Sequence, residues 1–244
     1  MRNLRLDLCY DGTRYKGWQR LAQTDNTIQA KLEQTLSRIL GEPVEVTGSG
    51  RTDAGTHALG QVANVHCVST MDCRQILEQL RRYLPEDIGI YSCRNVSPRF
   101  HARLNALTKT YRYRIWNSDM PCVFDRKYVW VEPRQMDVEL MNRTAELFLG
   151  THDFSAFCTN KPGKKSTVRT IHSFTVERVG EEIRFTVTGN GFLHNMVRIL
   201  VGTLVEVGSG QRDPGQIPEL FGLRREASGV TVPACGLCLM EVTY

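Results

Sequence analysis

Asp53 stands at the centre of Gly48-Ser49-Gly50-Arg51-Thr52-Asp53-Ala54-Gly55-Thr56-His57, where a carboxylate and a guanidinium sit two residues apart on a stretch nearly stripped of bulk. Glycines let backbone approach a ligand closely and reach positive φ, so a charged pair placed there can face a substrate instead of a packed neighbour. The competing reading is an ordinary one, in which the Asp accepts a hydrogen bond from the turn's own backbone. Phosphate-binding motifs fit badly: the Gly-Lys-Ser/Thr ending of a P-loop is missing, and Asp53 stands where a dinucleotide fingerprint needs its third glycine. A cation that could serve this acid lies far along the chain. Met196-Val197-Arg198-Ile199-Leu200-Val201-Gly202-Thr203-Leu204-Val205 is apolar all round and predicts an enclosed helix, yet it carries Arg198 in its first turn. A positive charge there opposes the helix dipole and should not be buried unpaired, which makes Asp53 the expected partner. The alternatives are a structural ion pair or a long side chain reaching the surface.

The elements that must position these residues are readable from periodicity. Leu4, Leu6, Leu8 and Tyr10 alternate as in a half-buried strand, and Ile28, Leu32, Leu36 and Ile39 recur at helical spacing from Thr27 to the Leu40-Gly41 stop. Strands near 44–49 and 60–67 flank the Asp53 loop. Ile76, Leu77, Leu80 and Leu84 mark a second helix ended by Pro85, and a strand near 88–96 follows. The order is β-α-β-β-α-β. After an extra strand the second half repeats it: Tyr111, Tyr113 and Ile115 alternate, and Val138, Met141, Ala145 and Phe148 are helical. Strands near 171–178 and 182–188, a helix at about 194–207 and a closing strand at 236–243 complete the half. The expected fold class is therefore α+β, two ferredoxin-like or RRM-like halves (residues 1–104 and 105–244) with antiparallel sheets side by side and a cleft suited to an RNA stem.

Composition narrows the class further. At 244 residues, with 41% apolar and 23% charged side chains, the chain is an ordinary globular protein. No signal-peptide core follows Met1-Arg2-Asn3-Leu4 and no apolar run nears the ~20 residues of a membrane span, so a cytoplasmic protein is expected. The eight cysteines have no framework spacing and are expected to be reduced. Cys235-Gly-Leu-Cys238 has the spacing of a zinc knuckle without a second pair, so no metal site is expected. The net charge is +5, and its placement is informative. Basic clusters occur at Arg14, Lys16 and Arg20, from Arg94 through Arg99, Arg103, Lys109, Arg112 and Arg114, and at Lys161, Lys164, Lys165 and Arg169. Tyr10, Tyr15, Trp18, Phe100, Tyr111, Tyr113 and Trp116 interleave with the first two, the mixture that phosphate contacts and base stacking require.

The string Gly50-Arg51-Thr52-Asp53-Ala54-Gly55-Thr56-His57 resembles the catalytic signature of the tRNA pseudouridine synthase A family. Tyr10-Asp11-Gly12-Thr13, Gly17-Trp18-Gln19, Phe100-His101-Ala102-Arg103, Lys109-Thr110-Tyr111-Arg112-Tyr113, Gly150-Thr151-His152-Asp153-Phe154 and Phe192-Leu193-His194-Asn195-Met196-Val197-Arg198 follow in the family's order, so the resemblance covers nearly the whole chain. It implies the pseudouridine synthase fold and isomerisation of uridine to pseudouridine at positions 38, 39 and 40 of the tRNA anticodon stem-loop, by a homodimer using no organic cofactor or catalytic metal. Asp53 matches the catalytic aspartate, Tyr111 the active-site tyrosine that contacts the uridine, Arg198 the arginine that pairs with the aspartate, and Arg51 a basic residue that holds the flipped nucleotide. Departures are mild: Thr56 stands where Val is common, Val232-Pro233 where Ala-Pro is usual, and Leu104-Asn105 replaces Phe-Asp or Phe-Ser.

Two other functional classes compete. A tandem RNA-binding module fits the repeated halves, but no RNP1-like string occurs and a plain binder has no use for an Asp53 and Arg198 pair. A carboxylate hydrolase of nucleosides or glycans should show a second acid as proton donor, and Asp11 and Asp153 are poorly placed for it. His57, His101 and His194 lie near the motifs with no second group at ligand or triad spacing, which favours hydrogen-bonding or RNA-contact roles.

Overall fold

Strand β1 (Arg2–Tyr10) opens the chain, and its alternation buries Leu4, Leu6, Leu8 and Tyr10 on one face. The computed structural model describes residues 1–159 and 166–244, so Lys161, Lys164 and Lys165 of the third basic cluster lie outside the described residues. Helix α1 (Ile28–Leu40) starts where the Thr27 hydroxyl accepts from the Ala30 N–H and stops at Gly41, whose φ of 73° is the left-handed cap that the Leu40-Gly41 stop predicts. Strands β2 (Val46–Gly48) and β3 (His57–Cys67) follow, then α2 (Cys73–Tyr83), capped by the Asp72 carboxylate, and β4 (Ile88–Val96). β1 pairs antiparallel with β3 and β4, and β2 pairs antiparallel with β3, giving the ferredoxin-like order β4-β1-β3-β2. Leu4, Leu6 and Leu8 meet Ile28, Leu32, Leu36, Ile76 and Leu80 in a core between the sheet and its two helices.

The second unit begins with β5 (Thr108–Trp116) and the two-residue β6 (Trp130–Val131), which runs parallel to it. Helix α3 (Val138–Ala145) is shorter than its periodicity predicts, because Glu146–Phe148 tightens into a 3₁₀ turn before β7 (Gly150–Asp153). Strands β8 (Val168–Val179) and β9 (Glu182–Gly189) precede helix α4 (Met196–Gly208), and the antiparallel order is β5-β9-β8-β7. α4 is enclosed, as its apolar circumference predicts: Ile199, Leu200, Val201 and Leu204 are fully buried. The chain also passes directly over it, since a Cβ on Gly202 would lie 2.0 Å from the Val230 carbonyl oxygen.

The chain divides into two compact units, Met1–Leu107 with Cys238–Tyr244, and Thr108–Leu237. Sequence places the closing strand with the second half. The strand forms as β10 (Leu237–Thr243), but it pairs in parallel with β3, Cys238 opposite His57 and Leu239 opposite Ala58. The reason is β2, which is so short that it covers only Ala63–Val65 of that edge and leaves the start of β3 for another strand. All eight cysteines are free thiols. Among the described residues no helix is long and apolar enough to cross a membrane.

Candidate active site

The loop between β2 and β3 is held from below and from one side. Below it, the buried Gln61 side chain donates to the Gly50 carbonyl (3.2 Å) and to the Tyr10 hydroxyl (3.3 Å), and accepts from the Ser49 hydroxyl (2.5 Å). The Tyr10 hydroxyl is also 2.8 Å from Thr52 Oγ1. Burial pushes the Tyr10 phenol well above its ordinary range, so it stays neutral and keeps both its donor and its acceptor capacity. From the side comes the segment between β1 and α1. The Trp18 N–H donates to the Thr52 carbonyl (3.0 Å), and the Gly55 N–H donates to the Tyr15 carbonyl (3.3 Å).

Two glycines make that approach possible. Gly17 has φ +94°, and a Cβ there would sit 2.7 Å from the Thr52 carbonyl oxygen; one on Gly12 would sit 2.0 Å from that of Thr56. The same segment is anchored at its other end, because the first N–H groups of α1, at Ile28 and Gln29, donate to the Gly17 and Trp18 carbonyls. Within the loop the Thr56 N–H closes back onto the Asp53 carbonyl (3.1 Å). Thr52 and Thr56 are buried on either side, Asp53 is half-buried between them, and Arg51 is exposed. The carboxylate thus stands on a backbone fixed at both shoulders.

The other expected residues are gathered at the N-terminus of α4. Tyr111 lies on β5 opposite Val187 of β9, buried to 7% exposure, with its ring edge-on to Phe192 at 5.3 Å. Phe192 leads into α4 through His194 and Asn195. Asn195 takes φ 62° at the N-cap and is the only non-glycine residue at positive φ among those described. Its side chain serves the arginine instead of capping the helix: Arg198 Nη1 donates to Asn195 Oδ1 (2.8 Å), and Arg198 Nε donates to the Val232 carbonyl (2.6 Å). Asn195 Nδ2 in turn donates to Thr159 Oγ1 (2.9 Å), which is 2.6 Å from His194 Nδ1. Tyr113, two residues along β5 from Tyr111, is sealed beneath, and its hydroxyl donates to the Pro233 carbonyl (2.7 Å). Burial holds that phenol far above its usual range, with the Arg198 charge pulling the other way.

Several aromatic residues read as stacking platforms belong to the core. Tyr10, Tyr15 and Trp18 are at most 4% exposed and Tyr113 is fully buried. Alternation puts Tyr10 on the helix-facing side of β1, Trp18 packs against Gly48, and the Tyr15 hydroxyl donates to Asp87 (2.5 Å). Part of the basic excess is paired with acids of the same chain: Arg14 with Asp87 and Arg20 with Glu33, both arginines remaining exposed, and Arg114 with Glu182 and Asp125. Lys16, Arg51, Arg99 and Arg103 are exposed. Among the described residues no group of three or more His, Cys, Asp or Glu side chains is placed to hold a metal ion. His57 Nδ1 accepts from the Gly12 N–H (3.0 Å), and His101 Nδ1 accepts from the Arg103 N–H (3.1 Å), so both histidines brace backbone.

The profile of the tRNA pseudouridine synthase family matches residues 9–104 and 144–244. Relatives named tRNA pseudouridine synthase A match over the full length of both chains, at 45% identity in Bacillus sp. (strain KSM-64) and 44% in Acetivibrio thermocellus. A relative named tRNA pseudouridine synthase A 2, from Bacillus cereus (strain ZK / E33L), is 43% identical with the same full coverage. The chain belongs to the tRNA pseudouridine synthase family. Asp53, Arg51 and Arg198 fall inside the profile-matched spans, and Tyr111 falls between them.

Three supports of the site carried no assigned role in the sequence. Gln61 sits in a strand where a polar residue ordinarily marks the solvent face, yet it is fully buried. Its only signal was a polar side chain within a run otherwise buried on both faces. Tyr10-Asp11-Gly12-Thr13 and Gly17-Trp18-Gln19 were visible as strings, but nothing in them told of backbone approaching the Asp53 loop. The Val232 carbonyl that receives Arg198 has no side-chain signature at all.

Proposed function

We propose that the chain isomerises uridine to pseudouridine at positions 38, 39 and 40 of the tRNA anticodon stem-loop, in the cytoplasm, as a homodimer, and without organic cofactor or catalytic metal. The bond from ribose C1′ to uracil N1 breaks, the base rotates, and the sugar rejoins through C5. As the bond weakens the sugar gains positive character, which a carboxylate on the correct face attacks or stabilises. Asp53 is given that task. It acts as the anion, and Arg198 is the cation proposed to pair with it. The base must first leave the stack at a cost of a few kcal/mol, offset by stacking and backbone contacts. Tyr111, its ring orientation set by Phe192, is proposed to receive the uracil, and exposed Arg51 to hold the flipped nucleotide's phosphate.

One observation carries the reading: the family signature lies on a loop whose backbone is fixed at Thr52 and Gly55 while its carboxylate is only half-buried. Such rigidity suits electrostatic preorganisation, in which a charge already in place needs no reorientation during the reaction. Unmodified tRNA bearing tritium at uracil C5 should release the label with no cofactor added, and Asp53→Asn should release none while binding tRNA nearly as well. Release by Asp53→Asn at the wild-type rate would sink the residue assignment, and silence from the unaltered protein would sink the activity. Light scattering that returns a single-chain mass at working concentration would remove the homodimer.

A further inference from the structure

Three thiols converge away from the Asp53 loop, beneath the start of α2. Opposite residues of an antiparallel pair share a face, so Cys67 shares a face with Arg2, Cys93 with Leu6 and Asn95 with Leu4. Leu4 and Leu6 are fully buried under the helices, so this is the face that α2 covers. Cys73 is the first residue of α2, just after its Asp72 cap. The Arg2 guanidinium ties the group together: Nε donates to Asn95 Oδ1 (2.9 Å), Nη1 to the Met71 carbonyl (2.7 Å), and Nη2 to Cys73 Sγ (3.0 Å). Cys73 sulfur therefore receives a guanidinium N–H at a helix N-terminus, two sources of positive potential aimed at one atom. Cys73 and Cys93 are half-buried, and Cys67 is only 1% exposed. Cys93 lies two residues from Asn95 on that same face, and burial foremost, then the neighbouring Cys73, pushes its thiol up to about 12, so it is held protonated.

We propose that Cys73 and Cys93 form a thiol–disulfide exchange site for low-molecular-weight disulfides, with Cys73 as the attacking sulfur, Arg2 as its counter-charge and Cys93 as the resolving thiol. In the first step Cys73 sulfur attacks a disulfide RS–SR. A Cys73–SR bond forms, the S–S bond breaks, and one RS⁻ leaves and takes up the Cys73 proton. In the second step Cys93 sulfur attacks Cys73 sulfur, the Cys73–Cys93 bond forms, and the second RS⁻ leaves with the Cys93 proton. Two protein thiols are oxidised and one small disulfide is reduced to two thiols. The product staples the start of α2 to β4 inside one unit. It touches none of the residues around Asp53, so modification activity stays constant while the melting temperature rises.

Incubating the full chain with oxidised glutathione and mapping its peptides tests the site. The expected product is a cross-link between the Cys73 and Cys93 peptides with loss of two hydrogens. Cys93→Ser should instead accumulate one glutathione on Cys73, and Cys73→Ser should give neither product. Arg2→Met should slow glutathione capture about tenfold. The proposal is overturned by a cross-link that joins Cys67 or any other pair, by a Cys93→Ser chain that carries no glutathione at Cys73, or by capture in Arg2→Met at the unaltered rate. Circular dichroism of each variant separates a chemical loss from a misfolded chain.

Discussion

The loop that carries Asp53 and the helix start that carries Arg198 hold their charges in opposite ways. Around Asp53 the neighbours do the holding: backbone bonds at Thr52 and Gly55, glycines that admit a second segment, and a buried Gln61 and Tyr10 pair underneath. At Arg198 the charged side chain is itself the fastener, joined to the Val232 carbonyl and to an Asn195 held in a left-handed conformation. Removing the arginine strands two acceptors, whereas the backbone bonds at Thr52 and Gly55 do not pass through the acid's side chain.

The sharpest test of that contrast is Asp53→Asn, which should cut kcat by ~10⁴-fold while leaving the melting temperature and tRNA affinity close to unaltered. A large fall in melting temperature would show that the carboxylate is structural after all. Arg198→Met should lower kcat by about 10²-fold and also cost about 2 kcal/mol of stability in urea unfolding, because the Val232 carbonyl and the Asn195 carboxamide lose their donor. Arg198→Lys should recover little, since a single ammonium does not replace a planar two-donor fork. If the two charges act as one unit, the double variant should be barely slower than Asp53→Asn alone; rates that multiply would break the pairing. Gly17→Ala tests the framework without touching a charge. At φ +94° and 2.7 Å from the Thr52 carbonyl it should cost about 2 kcal/mol and lower kcat with it. The smallest effect runs the other way. Thr56 Oγ1 is buried with no hydrogen-bond partner, so the isosteric Thr56→Val should gain about 1 kcal/mol and leave turnover unchanged.

Much of the scaffold was legible because local physics wrote it into the chain. Thr27 and Gly41 bracket α1 as cap chemistry requires, the alternation of Leu4 to Tyr10 becomes β1, and the apolar circumference of 196–205 becomes an enclosed helix. Asp53 stood out because glycines stripped its surroundings, and Arg198 because a lone cation in an apolar helix needs an explanation. Other features depend on contacts distant in sequence. Alternation tells that Tyr10 and Tyr113 share faces with their neighbours but not which face is covered, so rings that read as platforms proved to be core. The partner of β10 turns on the shortness of β2, a matter of a few residues at an element boundary, where periodicity is least informative. The acceptors of Arg198 include a backbone carbonyl, and every residue carries one of those.

The pairing of β10 with His57 and Ala58 has a consequence for folding. His57 closes the signature string and Ala58 follows it, so the strand that leaves the string is flanked by Cys238 and Leu239, residues far along the chain. Joining partners so distant means closing a long loop, which is slow compared with forming α1 or α2. That stretch of β3 therefore gains its neighbour late, and the backbone beside the string is the last of the unit to be locked.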